Sequence, residues 1–272
     1  MDPLSAIILG LVQAFTEFLP VSSSGHLVLA HHLLAMSAEG GVAAEAFAVA
    51  VHFGTLLSVV VVFRDDVMSL LRSLWRAGRS PGTLRRRWSE DSQLRLAGAI
   101  VLGCIPAGVV GLVFKDRLEA AFNSVTVVGF ALLFTGLVLL GTLWAPRGAR
   151  SVNLRSSVWI GLAQAVAIIP GVSRSGSTIA VAMFLGIERE QAAKYSFLLS
   201  LPVIAGASGL TALELLNKTI PSQAWLALGL GSLVAFLAGI IALKLLMAVV
   251  KQGAFAHFGW YCLAMGTAGL AL

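Results

Sequence analysis

Two stretches of this chain, residues 10–25 (GLVQAFTEFLPVSSSG) and 161–176 (GLAQAVAIIPGVSRSG), repeat one another at an offset of 151. Aligned without a gap they agree at Gly10/Gly161, Leu11/Leu162, Gln13/Gln164, Ala14/Ala165, Val21/Val172, Ser22/Ser173, Ser24/Ser175 and Gly25/Gly176. Composition alone predicts roughly one or two such matches. Each copy is an apolar half-length helix interrupted by Pro, Ser and Gly, the kind of break that builds a polar site at mid-depth in a membrane protein. The chain therefore reads as two related halves, residues 1–145 and 146–272, within one integrated membrane domain.

The bilayer setting follows from composition. Hydrophobic residues make up 58% of the 272, charged residues 12%, and the mean hydropathy is +0.90, outside the range of soluble domains. The net charge of +6 raises nucleic-acid binding as a class, but no basic face is interleaved with aromatics, so nucleic acid is excluded as a partner. Cys104 and Cys262 both sit in apolar runs and read as buried thiols, with neither disulfide nor zinc spacing. No Lys or Arg precedes the first apolar run and no cleavage site follows it, so no cleaved signal peptide is expected.

Six stretches are long enough to cross a ~30 Å hydrocarbon core: residues 47–63, 96–114, 125–144, 195–213, 225–243 and 255–272. Two more, 4–34 and 158–187, are broken at Pro20 to Gly25 and Pro170 to Gly176. Unsatisfied backbone is tolerated in lipid only where protein or a polar cavity surrounds it, so each reads as a re-entrant helix hairpin; a single kinked spanning helix is the competing reading. The expected fold is all-α and polytopic. A hairpin followed by three crossings makes each half, and the odd number of crossings inverts the second half relative to the first.

Basic residues give an independent topology. Fifteen of the nineteen Lys and Arg fall on one expected face, eight of them between Arg64 and Arg95, which reads as a loop; Lys115, Arg117 and Lys218 fall on the other, and Arg174 lies in the second break. The positive-inside rule places the fifteen in the cytoplasm and both termini outside. The Gly-rich stretch 226–239 could pack within one chain or between two, so a homodimer is possible on sequence grounds.

Intramembrane charges are functional candidates by default, and Glu17, His26 and Arg174 lie in or beside the two breaks. The hydroxyls of Ser22, Ser23 and Ser24, and of Ser173 and Ser175, suit helix N-caps. With Gly25, Gly171, Gly176 and Thr178 they form two helix starts suited to anions, and Arg174 adds a fork that fits phosphate. Two such starts face to face suit a diphosphate; packing residues alone would leave the Arg unexplained. Gln13 and Glu17, four apart, share a helix face and offer oxygen ligands to a divalent cation such as Mg2+ or Ca2+. A structural Glu17–Arg174 bridge is the competing role. His26 lies four residues after Ser22 and three after Ser23, a spacing that suits a base beside a nucleophile, though an isolated His is often structural. His52 sits mid-span as a supporting candidate, His31 and His32 fall near the outer interface, and His257 has no assigned role.

At these residues the chain is similar to the undecaprenyl-diphosphate phosphatase family, also called the bacitracin-resistance phosphatases. The run from Gln13 through Glu17 to His26 resembles that family's (E/Q)xxxE motif with its trailing serines and His, and Pro170 to Thr178 resembles PGxSRSxxT; the likeness covers essentially the whole chain. The resemblance implies hydrolysis of a C55 isoprenoid diphosphate to its monophosphate by a site that opens to the outer face of the bacterial cytoplasmic membrane, recycling the carrier lipid of cell-wall synthesis, usually with a divalent cation. Carried onto matching positions, it implies Glu17 and Gln13 for metal or water positioning, His26 and Ser23 as base and nucleophile, and Arg174 with Ser173, Ser175 and Thr178 for the diphosphate. Gln13 at the first acid position leaves one carboxylate. The rival reading is an isoprenoid-phosphate flippase on the same repeat, which has no need of the Ser–His neighbourhood; a membrane scaffold has no use for three buried ionisable groups.

Overall fold

Helix breaks at the two repeated motifs organise the chain. In the structure, a computed structural model describing residues 2–33, 41–122 and 124–272, the first half runs α1 (Pro3–Phe18), α2 (Ser23–Leu33), α3 (Val42–Val62), α4 (Arg64–Arg79), α5 (Leu84–Glu90), α6 (Ser92–Val113), α7 (Lys115–Ala121) and α8 (Val125–Gly141). The second runs α9 (Leu154–Val166), α10 (Arg174–Phe184), α11 (Arg189–Leu215), α12 (Ala224–Gln252) and α13 (Phe258–Leu270). No β-strand occurs among the described residues; Arg150 and Ile187 form an isolated bridge. The protein is all-helical and polytopic.

Five helical stretches are long and apolar enough to cross a membrane: Val42–Val62, Ser92–Val113, Val125–Trp144, Arg189–Leu215 and Ala224–Gln252. They match the first five expected spans, 47–63 and 96–114 each running one residue past the helix that holds it. The sixth, expected over 255–272, is shorter: Gly253 adopts φ +79 and ends α12, a 3-10 turn takes Phe255–His257, and the 13 residues left in α13 reach only about 20 Å at ~1.5 Å per residue. The stretch from Arg64 to Arg95 also departs from expectation, since it is not a loop. Its residues alternate at helical spacing, so α4 buries Leu70, Ser73 and Ala77 and leaves Arg72, Arg76 and Arg79 exposed, the pattern of an amphipathic helix. Asp91 caps α6 through the Gln93 and Leu94 amides and accepts the Ser73 hydroxyl at 2.6 Å, which ties the middle of α4 to the start of α6. That Ser73 hydroxyl and the two amides hold the Asp91 carboxyl below the usual carboxylate range.

Small residues decide how the broken segments dock. Helix α1 packs on α12 and α9 on α6. A Cβ added at Gly10 would stand 2.7 Å from the Gly231 carbonyl oxygen, and one at Gly161 2.5 Å from that of Gly103, so these crossings require the bare backbone. Further pairings are α3 with α12, α11 with α6, and α8 with α13. In the 226–239 stretch, Gly231 packs against Phe47 and Gly239 against Ser58 and Phe18; both are used inside the chain. Cys262 is buried as expected, while Cys104 is only half-buried. Phe197 meets Phe18 edge to face at a centroid separation of 5.8 Å and stacks on Phe63 at 5.9 Å, closing the core behind the first break.

Candidate active site

The two breaks meet tip to tip. In the first, α1 stops at Phe18 and the chain turns through Pro20 to Ser22, whose φ of +68 is left-handed. Among the described residues it is the one non-glycine with positive φ, a conformation costing about 1–2 kcal/mol. Its hydroxyl accepts the Gly25 amide at 3.2 Å. In the second, Gly171 takes φ +95 and the Ser173 hydroxyl accepts the Gly176 amide at 3.1 Å. These are the same N-cap bonds at aligned positions, and each starts a helix, α2 or α10.

The contacts between the tips also correspond. A Cβ on Gly25 would lie 3.1 Å from the Gly171 Cα, and one on Gly176 3.3 Å from the Pro20 Cβ; Pro20 and Gly171 are themselves aligned. Ser24 Oγ accepts from the Gly171 amide and Ser175 Oγ donates to the Leu19 carbonyl, both at 3.4 Å. Behind the second tip, Thr135 of α8 donates to the Gly171 carbonyl and accepts from the Ser173 amide, each at 3.1 Å. Behind the first, the Cys262 thiol of α13 donates to the Pro20 carbonyl at 3.5 Å.

Glu17 gathers the chemistry. Its Oε1 accepts Arg174 Nη2 at 2.6 Å across the joint. Its Oε2 accepts Ser23 Oγ at 2.9 Å and Gln13 Nε2 at 3.3 Å. The ion pair is largely withdrawn from solvent, with side chains 15% and 10% exposed, and such pairs hold only where geometry and added hydrogen bonds are good. Four buried atoms have no partner among the described residues, Gln93 Oε1, Gln164 Oε1, Gln13 Oε1 and Arg174 Nη1, and the last two belong to this group. Buried donors without partners are rare, and here one is a guanidinium nitrogen beside a cavity of about 180 Å³. Glu17, Ser22, Ser23, Ser24, Ser173 and Arg174 line that cavity on its polar side, with Thr16, Phe122, Ala167, Ile168 and Val172 completing it.

Six of the expected site residues thus converge, and Gln13 reaches the group through Glu17. The others sit elsewhere. Gly25, Gly171, Gly176 and Ser175 form the joint between the tips rather than the cavity wall. Thr178 is fully buried behind Arg174, donating to its carbonyl at 2.7 Å and sharing a 2.6 Å hydrogen bond with Ser196. His26 does not face a serine hydroxyl: Nδ1 lies 2.8 Å from the Ser22 carbonyl oxygen and Nε2 2.7 Å from Tyr261 Oη. The group on the Ser23 hydroxyl is Glu17 instead. The reason is helical geometry, since a side chain four residues into a helix reaches back to the carbonyl of the residue that starts it. His52 and His257 bond the carbonyls of Ala48 and Ala254, and the side chains of His31 and His32 lie outside the described residues.

Sequence reading missed Ile168, Phe122, Thr135 and Tyr261. Ile168 was available, because it aligns with Glu17 at the offset of 151; the others carry no local signal. A hydroxyl on a carboxylate, with an unpartnered guanidinium nitrogen near by, has the parts of an activated nucleophile and an anion-stabilising donor.

Known proteins resemble the chain over its whole length. Undecaprenyl-diphosphatases of Salinibacter ruber (40% identical over 267 residues, 98% of each chain), Desulfosudis oleivorans (42% over 275 residues, 98% of this chain and 97% of the other) and Korarchaeum cryptofilum (40% over 276 residues, all of both) align with it end to end. The family described as bacitracin resistance protein BacA matches residues 6–268, and the chain belongs to that family.

Proposed function

We propose that the cavity between the tips hydrolyses undecaprenyl diphosphate to undecaprenyl phosphate and phosphate, recycling a cell-wall carrier lipid and so conferring bacitracin resistance. The observation that carries this reading is the convergence of Ser23 and Arg174, from opposite halves of the chain, on the two oxygens of Glu17. The Ser23 oxygen attacks the terminal phosphorus while Glu17 takes its proton. The bridging P–O bond breaks, and its electron pair leaves with the prenyl monophosphate. Water then displaces the Ser23 oxygen from phosphorus, Glu17 returns the proton to it, and the water's proton departs with the phosphate. Arg174 Nη1 and the amides at the starts of α2 and α10 receive the non-bridging oxygens, supplying the charge stabilisation that phosphoryl transfer needs.

A divalent cation, Mg2+ or Ca2+, fits this donor set. Among the described residues no cluster of three His, Cys, Asp or Glu exists, but Gln13 Oε1 is a buried oxygen without a partner beside the Glu17 carboxylate. Glu17 and Gln13 would hold the ion, with waters and phosphate oxygens completing a hard-oxygen shell. When bound it neutralises phosphate charge.

A cavity of about 180 Å³ is below the ~300–1,000 Å³ of sites that enclose a drug-sized ligand. It takes the headgroup only, and the prenyl chain leaves past Phe122 and Ile168 into lipid. The paired helix contacts, α1 on α12 with α9 on α6 and α3 on α12 with α11 on α6, support an inverted repeat of two re-entrant hairpins, each followed by three membrane elements. The arginines of α4 and α5 then face the cytoplasm of a bacterial inner membrane, and the cavity opens outward. No observation favours the flippase alternative.

The test is phosphate release from farnesyl diphosphate by the detergent-purified chain, where no membrane separates two compartments. We expect turnover in the wild type, phosphate trapped covalently on Ser23, and loss of most activity in Arg174→Ala and Glu17→Ala. Lipid binding without phosphate release would reject the reading, and near-native release by Arg174→Ala would remove Arg174 from the mechanism.

A further inference from the structure

His26 has both ring nitrogens committed. A carbonyl oxygen only accepts, so the Nδ1 that faces the Ser22 carbonyl at 2.8 Å carries the proton, and the Nε2 of the neutral ring accepts the Tyr261 hydroxyl at 2.7 Å. The two rings lie parallel within 2°, centroids 5.6 Å apart. Tyr261 comes from α13, 235 residues away in sequence, and its neighbour Cys262 holds the Pro20 carbonyl of the same tip.

The carbonyl that His26 holds belongs to Ser22, the left-handed residue. Ser22 immediately precedes Ser23, so the orientation of its peptide plane sets the direction of the Ser23 side chain. The same carbonyl accepts the His26 backbone amide at 3.2 Å; the ring adds a second donor to it. A strained turn persists only where its surroundings over-determine it. The second tip shows what the alternative looks like. There a glycine supplies the positive φ at Gly171, Thr135 bonds the backbone directly, and the residue aligned with His26 is Ser177.

We propose that Tyr261 is a positioning residue for the Ser23 site: acting through His26, it clamps the Ser22 carbonyl and keeps the strained tip in the conformation that places the Ser23 hydroxyl on Glu17. This rests on the reading that Ser23 attacks phosphorus. Tyr261 touches no reacting atom, and its effect passes entirely through the imidazole.

A double-mutant cycle on the purified full-length chain, with farnesyl diphosphate as substrate, tests the clamp. Tyr261→Phe keeps the ring and removes only the hydroxyl; it is expected to lower kcat about tenfold while KM stays within about twofold, because positioning acts on the transition state rather than on uniform binding. In a His26→Ala background the same change is expected to alter kcat by less than about twofold, the mark of two residues acting as one unit. Wild-type kcat in Tyr261→Phe, or equal losses in both backgrounds, would overturn the proposal. Ser23→Ala in the same assay tests the underlying reading separately: full activity there removes Ser23 as nucleophile, whereas the cycle still reports whether Tyr261 and His26 are coupled.

Discussion

The two tips share their scaffold and differ in their chemistry. At matched positions they use the same devices: Ser22 and Ser173 cap the following helices, Ser24 and Ser175 reach across the joint, Gly25 and Gly176 let the backbones touch, and Gly10 and Gly161 seat the entering helices. At three unmatched positions they part. Glu17 aligns with Ile168, Ser23 with Arg174 and His26 with Ser177. Identity within the repeat therefore marks the joint and the helix starts at the cavity, and in the proposed function divergence marks the reacting groups: one tip carries carboxylate and hydroxyl, the other a guanidinium and an apolar wall. A diphosphate on a hydrocarbon chain needs both, since its charge must be met by donors and its tail must not be.

The hardest test of that division is to make the first tip resemble the second. Glu17→Ile is expected to abolish phosphate release and to cost about 3–5 kcal/mol, because Arg174 is left buried without its partner. Thermal unfolding in detergent reads the second effect, and retained activity would end the comparison. Ser23→Ala should lower kcat on the order of a thousandfold with little change in melting temperature, whereas Ser24→Ala, one residue along in the joint, should stay within a few-fold.

Matched positions should respond alike, and smaller effects probe this. Gly171→Ala meets both a left-handed φ, worth about 1–2 kcal/mol, and a Cβ 2.6 Å from the Val128 carbonyl oxygen, so its loss should exceed that of the other joint glycines. Gly25→Ala and Gly176→Ala, with Cβ approaches of 3.1 and 3.0 Å, should each cost about 1–3 kcal/mol from overpacking and agree within about 1 kcal/mol. Smallest of all, Ser24→Ala and Ser175→Ala each remove a long cross-joint hydrogen bond of 3.4 Å and a serine–serine one of 3.2 or 3.3 Å to Ser22 or Ser173, together worth about 1 kcal/mol. A large gap between the members of either pair, in melting temperature, would show that the joint is not shared.

Much of this was legible in the sequence because the signals are local or periodic. The break at each motif follows from Pro and Gly, the span positions from runs of apolar residues, and the Glu17, His26 and Arg174 candidates from the rarity of charged groups in such runs, while Ser23 came from its spacing to His26 and from the family resemblance. The α4 helix was hidden by its arginines, which mark a loop by charge but lie on one face of a helix. The length of α13 was hidden because Gly253, read as one residue in an apolar region, ends a helix only when the chain beyond it is turned.

By itself, then, the sequence determined that this is a polytopic helical membrane protein of two related halves with polar breaks at matching places. Tertiary structure alone decided which polar groups meet. Glu17 and Arg174 are 157 residues apart and His26 and Tyr261 235, and no helical spacing links them. Their pairing depends on how closely the two tips approach, which the glycines permit and the packing of α8 and α13 behind them enforces. That approach turned His26 away from the serines and left Glu17 on Ser23, because a side chain bonds what the assembled fold brings within about 3 Å, whatever its neighbours in sequence suggest.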